Sequence, residues 1–276
     1  MANRQSAKLK PPYNLKIFCT RKSDLMATTA IQQSDKFYWH GYIQFYESHI
    51  RDLPVKSIVE MGVLRGNSIR WLIERFPQAK IYGLDILDVQ PEWPVDARVT
   101  YQNVDQSDRN QLKAFFIGKQ FDLVIEDGSH LPAHQVNSLV EGFGSVTPGG
   151  IYILEDIQTS LPVHDYFKST GMESAGVLKG TALTCLLAIE HIKRIGGALD
   201  DRAASLIAQN SLFTKTEVME LFRSIDSLFL YRRPHLPDRC YRCGSSEYNY
   251  NAYKCTCGVN IFEEADSMSF LIRKAR

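Results

Sequence analysis

Two short apolar runs that break into acids at their carboxyl ends constrain this chain more than any other feature. Phe121-Asp-Leu-Val-Ile-Glu-Asp-Gly-Ser-His130 passes from strand-forming residues into Glu126 and Asp127, then Gly128, Ser129 and His130. Gly150-Ile-Tyr-Ile-Leu-Glu-Asp156 repeats the pattern, ending in Glu155 and Asp156 before Ile157, Gln158, Thr159 and Ser160. In an open parallel sheet, ligands bind in the crevice outside the carboxyl ends of the strands. Adjacent strands of this kind would aim three or four carboxylates and one imidazole at a single spot, a set suited to a metal and a base. The ordinary alternative is that Asp127 caps the next helix and His130 packs on its first turn, since Asp-Gly-Ser is a good turn and cap sequence.

The segments around these runs alternate strand with helix. Ser34-Asp35 caps an expected helix that runs to Leu53, with Gly41 as a weak point inside it. Strands are expected at Ser57–Met61, Lys80–Leu84, Arg98–Val104, Phe121–Ile125 and Ile151–Leu154. Helices fall over Ser68–Phe76, Leu112–Phe116 and Leu131–Val146, the last closed by Pro148-Gly149-Gly150. Such alternation implies a parallel sheet covered on both faces. A helix over Val177–Ile195 is stopped by Gly196-Gly197, and Thr214-Lys-Thr-Glu217 is a capping box. Ser227–Tyr231 and Met268–Ile272 read as two late strands. Residues 1–34 are expected to form an N-terminal arm, and 35–276 one domain.

The turn Glu60-Met-Gly62-Val-Leu-Arg-Gly66 follows the first strand and opens a helix. Its glycines let backbone approach a ligand without a Cβ in the way. It lacks the G-x-G-x-x-G spacing of a dinucleotide site, and it places a carboxylate before the first glycine. That suits a cationic, amino-acid-bearing ligand better than a diphosphate. Asp85 ends the second strand, where an acid can accept two ribose hydroxyls, and Asp105 ends the third, near an adenine edge. S-adenosylmethionine (SAM) is the ligand that this set fits.

Residues 35–160 resemble the class I SAM-dependent methyltransferases, and specifically the metal-dependent sugar O-methyltransferases of macrolide biosynthesis. The matching pieces are Ser34-Asp35-Lys36 with His40 and Tyr42, Glu60-x-Gly62-x-x-x-Gly66, Tyr82-Gly83-Leu84-Asp85-Ile86 and Asp105-Gln106-Ser107-Asp108. They continue through Asp127-Gly128-Ser129-His130 and Glu155-Asp156-Ile157-Gln158-Thr159-Ser160, and Ile225-Asp226-Ser227 is similar as well. The resemblance implies an α/β fold with a seven-stranded sheet in the order 3-2-1-4-5-7-6, the seventh strand antiparallel. It implies Mg²⁺ held by Asp127, Glu155 and Asp156, with His130 as general base, and Gln106 and His40 at the cofactor. Relatives usually have Asp-Asp-Gly-Ser-His; here the first acid is Glu126, which is not assigned to the metal. Many relatives also carry N-terminal segments that this chain is expected to lack. Mg²⁺ takes hard oxygen ligands, and a divalent ion on two neighbouring hydroxyl oxygens orients them and lowers the pKa of one.

Four of the six cysteines fall close together, as Cys240-x-x-Cys243 and Cys255-x-Cys257. Four thiolates suit a closed, tetrahedral, structural Zn²⁺ site. We therefore expect a zinc knuckle over residues 234–264, inserted between the last two strands; disulfides or free thiols are the alternatives. Cys185 sits in an apolar run as an ordinary buried thiol, and Cys19 stands alone.

A formal net charge of +1 gives no basic face for nucleic acid. No apolar run reaches the roughly 18 residues that cross a bilayer. Met1–Pro12 is polar with no apolar segment after it, so no signal peptide is expected and a cytoplasmic setting is the default. The expected activity is SAM- and Mg²⁺-dependent O-methylation of a sugar hydroxyl of a glycosylated natural product or polysaccharide, a small-molecule or glycan substrate, by a chain free to form homo-oligomers. The alternatives are a catechol-like acceptor, a hydroxylase-like relative using iron, and a non-catalytic zinc-containing binding module.

Overall fold

The computed structural model describes residues 31–170, 180–209, 211–261 and 267–276. The expected arm up to residue 30, with Cys19, lies outside the described residues. So do Val177–Lys179, the expected start of one helix, and 262–264, the expected end of the insertion.

The chain enters through a short 3₁₀ turn, Ile31–Gln33, with Ile31 already in the core. Ser34 then caps α1 (Asp35–Tyr38), its Oγ accepting from the Lys36 amide. The single expected helix is in fact two. Gly41 takes φ +70°, in the left-handed region, and α2 (Tyr42–Ile50) starts afresh behind it. There follow β1 (Ser57–Met61), α3 (Asn67–Arg75), β2 (Lys80–Asp85), β3 (Val99–Asn103), α4 (Arg109–Phe116), β4 (Phe121–Glu126) and α5 (Pro132–Phe143).

The next strand, β5 (Val146–Leu154), begins earlier than expected and runs through Pro148-Gly149-Gly150. A shift in register makes this possible. Phe121 pairs with Val146 but Leu123 pairs with Ile151, so the extra residues bulge and Pro148 needs no ladder hydrogen bond. After a 3₁₀ turn at Ile157–Ser160 come α6 (Asp165–Ser169), α7 (Ala182–Arg194), α8 (Asp201–Gln209) and α9 (Lys215–Ser224). The Thr214–Glu217 capping box opens α9 as expected, whereas α8 has no counterpart in the sequence reading. The last elements are β6 (Ile225–Arg232), a two-stranded hairpin of β7 (Tyr248–Asn249) and β8 (Lys254–Cys255), and β9 (Met268–Lys274).

Among the described residues, one seven-stranded sheet has the order β3-β2-β1-β4-β5-β9-β6, with β9 antiparallel to both neighbours. With β9 counted as the seventh strand of the sheet, this is the expected order. Strand side chains alternate between two cores. Ile58, Leu123, Ile125 and Ile153 pack on α2 and α3, while Val59, Val124, Tyr152 and Leu154 pack on α4, α5, α7 and α9. The chain moves outward from β1 through β2 to β3, then returns to place β4 on the other side of β1. The crevice at that reversal lies outside the carboxyl ends of β1, β4 and β5, where the acids are.

Candidate active site

The ladder forces the acids together. Met61 pairs with Glu126 and Glu126 with Leu154, so the next residues of neighbouring strands stay in step. The Asp127 amide donates to Met61 O at 2.9 Å and the Glu155 amide to Glu126 O at 2.9 Å. Beyond the ladder the backbone turns sharply: Asp156 has φ +50° and His130 φ +59°, conformations that side chains other than Gly enter at about 1–2 kcal/mol each. These turns bring a carboxylate oxygen of Asp127, a ring nitrogen of His130 and a carboxylate oxygen of Asp156 within 4.8 Å of one another. The carboxylate oxygens of this group are hard donors of the kind Mg²⁺ or Mn²⁺ takes.

Asp156 is fixed on all sides. Its Oδ1 accepts from the Tyr42 hydroxyl at 2.7 Å and from Gln158 Nε2 at 3.0 Å. His40 Nδ1 stands 3.7 Å from Oδ1, and His130 Nε2 3.7 Å from Oδ2. Burial would raise its pKa, but His40, His130 and the two hydrogen bonds hold it well below the usual carboxylate range. For His130 the balance runs the other way: burial lowers its pKa, yet Asp156, Asp127 and Glu126 lift it above the ordinary histidine value. Its Nδ1 is buried with no hydrogen-bond partner in the structure.

The group that sequence reasoning missed is Lys36. Only 4% exposed, it reaches from α1 into the acids, with Nζ 2.5 Å from Asp127 Oδ2, 2.6 Å from Glu155 Oε1 and 3.4 Å from Glu60 Oε1. Burial opposes its charge, but the three carboxylates outweigh that and raise its pKa well above the usual lysine value. Glu155, expected as a metal ligand, is therefore engaged by an ammonium and does not join the Asp127–His130–Asp156 group. Burial, and then the charge of Asp127, push the Glu155 pKa well up. The signal available in the sequence was the excess of acids itself, since buried carboxylates require an internal cation.

A cavity of about 520 Å³ opens beside this cluster, walled by Lys36, His40, Gly62, Asp85, Asp105, Gln106, Asp127, His130, Glu155 and Asp156 among others. Gly62 sits at φ +94°, and a Cβ there would lie 2.0 Å from Asp127 O, so only glycine lets β1 turn past the end of β4. Asp85 Oδ2 accepts from the amides of Val63 at 2.9 Å and Leu64 at 3.2 Å, which shapes the glycine loop. Asp105 Oδ1 accepts from the Ser107 amide at 2.7 Å.

Three expected cofactor residues have other partners. Glu60 is fully buried behind the wall, held by Lys36 and by the Ser68 hydroxyl at 2.8 Å, and burial lifts its pKa to about 7. Gly66 faces Pro94 and Trp93 rather than the cavity. Gln106 reaches the wall, but its amide nitrogen donates to Glu126 and Ser138 and its oxygen accepts from the Ser129 amide at 2.9 Å. It thereby ties the end of β3 to the turn after β4. Glu126, unassigned in the sequence, is the buried anchor for that tie.

At the insertion, the Sγ atoms of Cys240, Cys243, Cys255 and Cys257 all lie within 4.8 Å of one another. Cys240–Cys257 and Cys243–Cys255 are 3.7 and 3.4 Å apart, far beyond a disulfide bond. A tetrahedron of thiolates around zinc, with Zn–S near 2.3 Å, has edges of about 3.8 Å. Each cysteine pair ends in a left-handed glycine, Gly244 and Gly258, whose amides close the turns onto Cys240 O and Cys255 O. The four sulfurs therefore fit zinc in both chemistry and spacing.

No family model matches the chain. It is 31% identical over 185 residues to mycinamicin VI 2''-O-methyltransferase of Micromonospora griseorubida, a match that covers 62% of this chain and 45% of that enzyme. It is 39% identical over 139 residues to 8-demethyl-8-alpha-L-rhamnosyl tetracenomycin-C 2'-O-methyltransferase of Streptomyces olivaceus, covering 46% of this chain and 36% of that one. The chain thus spans less than half the length of these curated relatives. A solved structure of MycE methyltransferase from the mycinamycin pathway, in complex with Mg, SAH and mycinamycin VI, superposes with a TM-score of 0.58 at 22% identity. That superposition covers 90% of this chain and 55% of the other. The sequence is related to the sugar O-methyltransferases of natural-product pathways, and the fold is that of the class I SAM-dependent methyltransferases.

Proposed function

We propose that the chain is a SAM- and Mg²⁺-dependent O-methyltransferase acting on a sugar hydroxyl of a glycosylated natural product or polysaccharide. The observation that carries this reading is the convergence of Asp127, His130 and Asp156 at the wall of the 520 Å³ cavity, beside the glycine turn after β1. Residues 35–276 act as one methyltransferase domain, with 234–264 as a zinc-bearing insertion and a reducing, cytoplasmic setting keeping its thiols free for metal. No helix among the described residues is long and apolar enough to cross a membrane.

Asp127 and Asp156 are the proposed holders of Mg²⁺, joined by Glu155 through the carboxylate oxygen that Lys36 does not engage. Mg²⁺ held there would supply Lewis-acid chemistry, lowering the pKa of the acceptor hydroxyl to be methylated. His130 Nε2 then takes the hydroxyl proton as that oxygen forms its bond to the sulfonium methyl and the thioether departs. Asp156 Oδ2 faces the same Nε2 and stabilises the imidazolium that results. The Thr159 hydroxyl, donating to His130 O at 2.7 Å, holds the strained turn that aims the ring. Lys36 offsets the repulsion between Asp127 and Glu155.

Asp85 accepts from the amides of Val63 and Leu64 at Oδ2 and of Leu87 at Oδ1, and at the cavity wall it is the proposed acceptor for the ribose hydroxyls. Loss of such charge-assisted hydrogen bonds costs about 1.5–3 kcal/mol. Asp85→Ala is therefore expected to weaken SAM binding by roughly ten- to a hundredfold, measured by calorimetry, before it affects turnover at saturating SAM.

The acceptor class is tested by supplying labelled SAM with parallel panels of deoxysugar glycosides and catechols. Transfer to a glycoside hydroxyl is the expected result; transfer confined to catechols would replace the sugar reading with the aromatic one.

A further inference from the structure

Both stalks of the cysteine insertion land on the segment that carries Lys36 and His40. On the entry side, the Tyr231 hydroxyl donates to His40 O at 3.0 Å, and Arg233 Nη1 donates to Trp39 O at 2.9 Å. Arg233 Nη2 also donates to Ile261 O at 2.9 Å, so one guanidinium bridges the insertion and the segment. On the exit side, the Ser267 hydroxyl meets His40 Nδ1 at 2.7 Å, and Met268 O accepts from the Tyr42 hydroxyl that also holds Asp156.

The body of the insertion continues this contact. Trp39 is buried in one apolar cluster with Cys240, Cys255, Val259 and Ile261. The Asp238 amide donates to Tyr38 O at 2.8 Å, and the Arg239 guanidinium lies 4.1 Å over the Tyr38 ring. With its short hairpin and four thiols, the insertion has little core of its own besides this cluster among the described residues, and a small unit of that kind needs a metal to hold its shape. The helix α1 is only four residues long and is equally weak alone.

We propose that thiolate-bound zinc in the insertion positions residues 34–40, so that metal at Cys240, Cys243, Cys255 and Cys257 seats Lys36 among the strand-end acids and His40 against Asp156. This rests on the four-thiolate zinc reading. The zinc site is then a positioning element for the cofactor cavity as well as a staple, and Arg233 is its linchpin. Because the Lys36–His40 segment forms part of the cavity wall, loosening it weakens the binding of adenosyl ligands.

The test uses the full chain, its zinc content by elemental analysis, S-adenosylhomocysteine binding by calorimetry and the imidazole NMR signals of the histidines. Purified reduced protein should hold about one zinc per chain; none would refute the zinc reading itself. Cys257→Ser should lose zinc, shift the His40 signal while leaving that of the distant His191 in place, and weaken S-adenosylhomocysteine by about tenfold, as loss of a supporting shell typically does. Arg233→Ala keeps all four thiolates, and decides the matter if the cysteine variant fails to fold. It should retain zinc, yet show the same His40 shift and the same weakening. Zinc retained or lost with the His40 signal and ligand affinity unchanged would overturn the coupling while leaving the zinc site standing.

Discussion

Lys36→Met is expected to lower the stability of the metal-free protein by about 3–5 kcal/mol, the range for removing one partner of a buried ion pair. The methionine fills most of the space but leaves Asp127, Glu155 and Glu60 without the ammonium that lies 2.5, 2.6 and 3.4 Å from them. Their mutual repulsion then has no internal counter-charge, and burial removes the relief that water would give. Urea unfolding in EDTA measures the loss. Added Mg²⁺ should restore more stability to the variant than to the wild type, because a cation that binds only the folded state replaces a missing charge. A variant as stable as wild type in EDTA would show that the ammonium is not what holds the acids together.

His130→Ala carries the second large effect. Removing a general base lowers turnover by ~10²–10⁴. The ring lies on the Asp156 side of the cavity, its Nε2 3.7 Å from Oδ2, whereas Asp85 binds the amides of the glycine turn. Turnover at saturating SAM should therefore fall by that factor while SAM affinity, read by calorimetry, stays within a few-fold of wild type. A matching loss in both would identify His130 as part of the binding wall instead of the base. Because the alanine also enters a left-handed backbone position, His130→Asn serves as a second variant that tolerates the strained turn.

The contrast between these two residues shows what the sequence made legible. His130 was visible because it follows an acid-ended apolar run, and the parallel ladder carries that local pattern directly to the sheet edge. The alternation of strands with helices implied only a parallel sheet covered on both faces; the strand order came from the resemblance to the class I methyltransferases. Lys36 was not visible as a site residue. A lysine in the first turn of a short helix is ordinarily solvated, and only the docking of α1 on the strand ends buries it.

Tertiary partners of other expected residues were equally hidden: Glu60 is engaged by Lys36 and Ser68, and Gln106, at the cavity wall, by Glu126 and Ser138. Pro148-Gly149-Gly150 read as the close of a helix and outside the strand, because proline breaks a helix and lacks the amide a strand interior needs. The bulge between β4 and β5 removes that need. The cysteine spacing announced a metal site, yet nothing in it pointed to Trp39, two hundred residues earlier, as the surface it covers.

The proposed role of the strand-end acids is to hold a divalent cation that activates a sugar hydroxyl. Methyl transfer from labelled SAM to an accepted glycoside should therefore vanish in excess EDTA and return on addition of Mg²⁺, with Asp127→Ala inactive under both conditions and still able to bind SAM. Full transfer in EDTA would contradict it.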